Sequence, residues 1–501
     1  MTRYPWWRKH KEDGSHASRY PWWRHHRQAS TSDGPRVPHP GGDGGRQYPH
    51  LPRDPGSYDI WWKFRGPILP PPPVALAPAI PVPPAPVAVI GSGAAATAIA
   101  GFGGSRPPIA PRFSRGQGRE PSSAVAALLN NKRHRAKELL IEVATGSPDQ
   151  LKRALANQYG VEVRELGSIE LINARIWHLT LVRGQALATV LGQLLQDSRV
   201  ISAQPNYVYT PVQGAGQGSP AAYSETALPA SPVEALPTGG GVKVAIIDTC
   251  VDRNHAEIQG SVQSFFDATP SGSQACAAEN HGTAVASLIG GHDQIRGSAP
   301  GAELMEARAF SETEEEKEVA ATSREIALAL DWAARQGARV ANLSFAGPSD
   351  PLVERAVAAA YTKGIVLVGA AGNAGPSSEP LYPAAYPEVI AVTATDAKRA
   401  LYGAANRGSH IAVSARGVDV IVAHVNNGYG TDSGTSFAAA TVSGIAANLI
   451  KMRPRATPDE IRAALQGTAI SPSGQGKDEL FGYGLVNAQA ATSFLEASVS
   501  Q

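Results

Sequence analysis

Cysteine is almost missing from this chain. Two cysteines in 501 residues exclude a disulfide-built scaffold and a Cys-rich zinc module. A charge excess is missing as well: 45 Lys and Arg against 43 Asp and Glu leave +2, so the whole protein is no polyanion binder. Nor is there an apolar run long enough to cross a bilayer. The best, at 87–102, has 16 residues where about 20 are needed. Wholesale disorder is excluded in turn by a 43% hydrophobic content.

What is present divides sharply along the chain. Residues 1–65 hold 12 Lys and Arg, 6 Asp and Glu, and six of the eight tryptophans. RYPWWR occurs at 3–8 and again at 19–24, with a looser echo, YDIWWKFR, at 58–65. No apolar periodicity there could build a core, so this head reads as a disordered tail. Its Trp and basic residues leave open a membrane or envelope surface, and more weakly nucleic acid. Residues 66–105 carry no charge, first Pro-rich and then Ala/Gly-rich. They fit either a displaced export signal or a plain linker extending to 136. Gly 51 and Pro 40 make about 18% of the chain, and their excess over a globular average is assigned largely to the head and the linkers.

From 137 the texture becomes globular. Strand-like alternation at 138–145, 161–166, 174–182 and 200–209 is interleaved with helical spacing at 148–159 and 185–196. The order β-α-β-β-α-β predicts a small α+β, ferredoxin-like domain over 137–211. A Gly/Ser/Pro/Ala-rich linker follows at 212–238. Beyond it, over 239–496, short buried-type strands such as 242–248 and 365–371 alternate with helices. Asp350 and Pro351 open one of these helices, and TPDE at 457–460 opens another. This pattern predicts a three-layer α/β fold around a mostly parallel, doubly wound sheet. Ligands of such sheets bind at the carboxyl ends of the strands.

Those ends hold reactive residue types. Asp248 finishes the first strand, His281 opens HGTAVA, and Ser436 stands where a Gly-rich turn enters a small-residue helix. A serine hydroxyl needs an imidazole to take its proton, and the imidazole needs a carboxylate to hold its tautomer. Asn373, after the strand at 365–371, is a neutral donor suited to a developing oxyanion. A helix N-terminus under Ser436 favours the same negative charge.

The motifs DTCVD at 248–252, HGT at 281–283, GN at 372–373 and GTS at 434–436, in this order, resemble the subtilisin-like serine proteases. The resemblance spans about 239–494. It implies a serine endopeptidase with Asp248, His281 and Ser436 as triad and Asn373 in the oxyanion hole. It makes 137–211 an inhibitory propeptide that is cut away within 212–238, and Ser344, Phe345, Ala346 and Gly347 the edge that pairs with substrate backbone. The implied partners are a protein or peptide substrate and the chain's own propeptide, in a secreted or envelope enzyme. Ala440 and Ala256 stand where the family usually has proline. Glu257 falls where the family often has a calcium-ligating Asp; with the other oxygen ligands unidentified it reads as a solvated carboxylate, so no metal is assigned and structural calcium stays open. Cys250 and Cys276 flank the motifs, either as a disulfide or as two thiols. The acidic run at 312–318 reads as a solvated loop ahead of a helix at 322–335; by the resemblance it also falls near the non-primed subsites, where its charge would favour basic substrate residues. The competing class is a binding or regulatory protein that holds peptides without cutting them; self-cleavage and a fluorophosphonate-reactive serine separate the two.

Overall fold

The computed structural model describes residues 121–130, 132–182, 184–212, 237–269, 279–312, 318–472, 474 and 476–497. The chain divides into two compact units, 1–102 and 103–501, and every described residue lies in the second. The Trp-rich head, the Pro-rich stretch, the candidate export segment and residues 213–236 of the linker lie outside the described residues. Among the described residues, no helix is long and apolar enough to cross a membrane.

The described chain begins with helix α1 (Pro121–Leu129), inside the stretch that composition assigns to a linker. Nine residues are too few to be stable alone in water. Tertiary contact supplies the support, because Val125 and Leu128 bury against the small domain and the Tyr207 hydroxyl donates to Leu128 O at 2.9 Å. Then follow β1 (His134–Val143), α2 (Asp149–Tyr159), β2 (Val161–Ile169), β3 (Ala174–Leu181), α3 (Leu187–Leu194) and β4 (Ser202–Pro211). Gly160, in the left-handed region at φ 61°, ends α2. The strands pair antiparallel in the order β2-β3-β1-β4, with β1 central, as the sequence pattern predicts. Alternation along β1 splits its side chains between two cores. Leu139 and Ile141 pack with Trp177, Leu155 and Leu191 inside the small domain, whereas Leu140 faces the larger one.

The large domain runs β5 (Lys243–Asp248), β6 (Val262–Asp267), α4 (Asn280–Gly290), β7 (Glu303–Arg308), β8 (Ser311–Glu312), β9 (Val319–Thr322), α5 (Ser323–Arg335), β10 (Val340–Leu343), β11 (Phe345–Ala346) and α6 (Pro351–Thr362). It continues with β12 (Val366–Ala370), β13 (Val389–Thr395), β14 (Ile411–Arg416), β15 (Val420–His424), β16 (Gly428–Asp432), α7 (Thr435–Met452), α8 (Pro458–Gly467) and α9 (Ala488–Ala497). Its main sheet is parallel throughout, in the order β14-β13-β12-β10-β5-β7-β6. The chain leaves β5 in one direction to β6 and β7, then crosses back to β10, so strand order reverses at β5. Such a switch point opens a crevice at the carboxyl end of the strand, where Asp248 sits.

Three layers follow from burial on both sheet faces. Val244 and Ile246 of β5 pack with α4, α7, α8 and α9, while Ala245 and Ile247 pack with α5 and α6. The small domain lies against this second helical layer. Tyr207 N donates to Ser323 Oγ at 2.9 Å and Leu171 N to Asp331 Oδ1 at 2.8 Å, and Arg355 pairs with Glu142.

One buried carboxylate ties the loop after α4 to the start of the domain. Glu257 is fully buried. Its Oε1 accepts from Gln294 N (2.7 Å), Ile295 N (2.7 Å) and the Tyr429 hydroxyl (3.0 Å), and its Oε2 from Asp293 N (3.1 Å). Replacing it with Ala would leave the buried Ile295 amide unpaired, at a cost of about 1–3 kcal/mol, and release the amides of Asp293 and Gln294. Glu257→Ala is therefore expected to lower the thermal midpoint by about 5 °C or more; an unchanged midpoint would show that the loop does not depend on this carboxylate.

Candidate active site

Four segment ends meet over the β5 crevice. Asp248 ends β5, and α4 begins beside it with His281 in its first turn. That approach requires glycine at 282, because a Cβ there would stand 2.5 Å from Thr249 O. Gly282 N donates to Thr249 Oγ1 at 2.9 Å and pins the helix start to the strand end. His281 Nδ1 lies 2.7 Å from Asp248 Oδ1, and Thr249 N donates to the same oxygen at 2.7 Å. Carboxylate and ring are both buried. The geometry makes Nδ1–H the donor, which leaves Nε2 unprotonated in the neutral ring.

Burial alone would lower the basicity of His281, but the charge and hydrogen bond of Asp248 outweigh it, and the ring is held above its ordinary value of 6.5. Glu279, two residues earlier, is pushed up to about 7, first by burial and then by Asp248.

Ser436 occupies the first turn of α7, and its hydroxyl is fully buried. It donates to Val212 O at 2.6 Å and lies 3.2 Å from Ser344 O. Asn373 follows β12. Gly372 N donates to Thr435 Oγ1 (3.1 Å), and Thr435 Oγ1 and N donate to Asn373 Oδ1 (3.0 and 3.1 Å). With its oxygen so engaged, the amide leaves Nδ2 buried and without a hydrogen-bond partner among the described residues. A Cβ on Gly434 would touch both this nitrogen (3.1 Å) and Val212 O (3.4 Å), so glycine at 434 keeps the space between them open.

The occupant of the site is the chain itself. Val212, which the sequence assigns to the linker, continues β4 into the crevice, because backbone donors and acceptors await it there. Strand β4 runs antiparallel to β11 on one side, with Pro211 opposite Phe345 and Thr210 opposite Ala346. On its other side it pairs with β9, with Tyr209 opposite Ala321. Val212 N then donates to Ser344 O at 3.1 Å. Ser344, Phe345 and Ala346 thus border β4, and Gly347 stands directly against the Tyr209 ring.

Sequence reasoning overlooked Val212, Tyr209 and Asn342. Asn342 is a buried amide in β10 that donates to Ser344 Oγ (2.8 Å) and accepts from Ser443 Oγ (3.0 Å) of α7. A lone polar residue within the apolar strand VANL was the available signal. Cys250 is buried and disulfide-bonded, whereas Cys276 falls in 270–278, outside the described residues. So do residues 313–317 of the acidic run; Glu318 at its end pairs with Arg133 ahead of β1. Glu257 does not fit calcium. A cation needs oxygens with lone pairs turned inward, and this carboxylate already faces backbone N–H groups.

Comparison with known proteins agrees with this geometry. Residues 239–484 match the Subtilase family. The thermophilic serine proteinase of Bacillus sp. (strain AK1) is 34% identical over 318 residues, covering 61% of this chain and 76% of that protein. Subtilisin Savinase of Lederbergia lenta is 35% identical over 281 residues, covering 55% of this chain and 99% of the relative. Among solved structures, fervidolysin from Fervidobacterium pennivorans, titled a keratinolytic enzyme related to subtilisin, shares the fold. It superposes with a TM-score of 0.60 at 24% identity, covering 73% of this chain and 62% of that one. A crevice at the switch point of a parallel sheet, lined by Asp, His, Ser and Asn from four segment ends, goes with these relatives: the chain belongs to the subtilase family and is a serine endopeptidase.

Proposed function

We propose that the chain is a self-inhibited zymogen that cuts itself between Val212 and Gln213 and then acts on other proteins or peptides through Asp248, His281 and Ser436. The carrying observation is the 2.6 Å contact between Ser436 Oγ and Val212 O, in a strand whose Val212 N–H is bonded to Ser344 O. A backbone carbonyl brought to a serine hydroxyl by strand pairing supports Val212 as the residue ahead of the cut.

In the proposed reaction, Ser436 Oγ attacks the Val212 carbonyl carbon while His281 Nε2 takes the hydroxyl proton. Asp248 stabilises the imidazolium through Nδ1–H. The Val212 oxygen becomes an oxyanion, met by Asn373 Nδ2 and the Ser436 N–H. Its collapse breaks the bond to Gln213. His281 returns the proton to the leaving nitrogen, and Val212 stays as an ester on Ser436. Water, deprotonated by His281, hydrolyses the ester and regenerates Ser436.

The cleaved segment would keep its place by the same contacts, so residues 121–212 serve as an intramolecular inhibitor. This segment begins earlier than 137, since α1 packs on the small domain and Lys132 Nζ donates to Ser349 O at 2.9 Å. Action outside the cytoplasm is part of the same reading. Its support is the bonded Cys250, because disulfides persist in oxidising compartments. Two titratable thiols in the unreduced protein would remove that support.

Two outcomes test the proposal. Wild-type protein is expected to yield a fragment whose N-terminus is Gln213, and Ser436→Ala to remain uncut and lose at least about 10⁴-fold in kcat/KM on peptides. Mass spectrometry that finds the cut elsewhere, or a Ser436→Ala chain that still processes itself, would refute the assignment.

The pH profile follows from the sign of the His281 shift. Only neutral imidazole takes the serine proton, and Asp248 holds the ring protonated to higher pH than usual. Activity should therefore be lost as pH falls through a midpoint above 6.5. Asp248→Asn should remove the largest opposition to burial and move the midpoint of its residual activity downward; a midpoint unmoved by that substitution would dissociate Asp248 from the titration.

A further inference from the structure

We propose that this enzyme selects tyrosine at the fourth residue upstream of the cut, and that Asp350 reads the hydroxyl. The inference rests on the proposed cut after Val212, which makes Tyr209 the fourth residue.

Tyr209 is fully buried in a pocket built by the large domain. Phe345 meets its ring edge-on, with centroids 5.7 Å apart and planes at 88°. Gly347 forms the facing wall. A Cβ at 347 would collide with the ring, so the slot exists only because this residue is glycine. These surfaces would suit any aromatic side chain. The far end of the slot discriminates, because there the phenolic hydroxyl lies 3.2 Å from Asp350 Oδ2, with Pro348 O a more distant acceptor at 3.5 Å.

Asp350 can serve this purpose because its two oxygens divide their tasks. Oδ1 accepts from Leu352 N (2.9 Å) and Val353 N (3.2 Å) as the N-cap of α6, and from Gln204 Nε2 (2.8 Å) of the small domain. Oδ2 takes the phenol, and the Ser323 hydroxyl also hydrogen-bonds the carboxylate. The Tyr386 hydroxyl bridges the Asp350 backbone N–H and C=O, both at 3.0 Å, and holds the residue in place. Besides Gln204, the acceptor is therefore positioned by contacts within the large domain itself. Phenylalanine would fill the same slot but leave Oδ2 facing an apolar ring with water excluded. A site built to bond a hydroxyl discriminates strongly against the analogue that lacks it.

The test uses the full-length chain after it has completed its own processing, with two peptides that copy residues 209–212 ahead of a fluorogenic leaving group. One is Tyr-Thr-Pro-Val and the other Phe-Thr-Pro-Val. The wild-type enzyme is expected to favour the tyrosine peptide in kcat/KM by about tenfold or more. Asp350→Ser retains a good helix cap but withdraws the distal oxygen, and should bring the ratio to within about twofold. Because the ratio is taken within one protein, any general loss of activity or stability cancels. Equal hydrolysis of the two peptides by wild type, or a preference that survives Asp350→Ser, would overturn the proposal. Hydrolysis of neither peptide by a processed wild-type enzyme that still cleaves unrelated peptides would overturn the register at Val212, and the proposal with it.

Discussion

Main-chain hydrogen bonds that seat residues 208–212 between β9 and β11 are the constraint on which the site depends. A strand held on both edges has one register, and a slip of one residue would turn every side chain to the opposite face. In the register found, Val212 O reaches Ser436, Tyr209 enters the slot beside Phe345, and Tyr207 N meets Ser323 at the start of α5. A slip would lose all three together. Backbone pairing thus carries side-chain recognition with it.

The same strand carries one sheet across both domains, and this is how the small domain is attached. β4 pairs with β1 inside its own domain and with β9 and β11 outside it. The small domain therefore does not merely rest on α5 and α6; it extends its sheet into the larger domain. Polar links such as Arg355 with Glu142 and Leu171 N with Asp331 orient the contact around the buried apolar residues. A strand of the chain itself thus runs across the crevice and reaches Ser436. This agrees with reading the serine endopeptidase chain as its own first substrate.

Much of this was legible from residue types. The buried-type apolar run at 242–248, the cap at Asp350 with Pro351 and the capping box at Thr457 reappear as β5, α6 and α8, because these signals act through neighbours in sequence. Asp248, His281, Asn373 and Ser436 stood out because polar residues at segment ends interrupt apolar patterns. Helix α1 was illegible: nine residues after a Pro-rich run lack intrinsic stability and depend on Tyr207, far along the chain. The second use of Asp350 was equally hidden, since a helix cap reads identically whether or not its other oxygen faces a distant tyrosine.

The sequence alone determined the alternation of strand and helix, the chemical types at the segment ends and, with its motifs, the resemblance to a protease family. Those properties depend on local spacing and on which side chains can exchange protons. Only the tertiary structure decided that Val212 lies at Ser436, that Tyr209 ends on Asp350, and that Glu257 faces amide donors and not a cation. Each of these joins residues separated by tens to hundreds of positions. Their distance is set by sheet order and strand register, and composition and local periodicity carry no information about either.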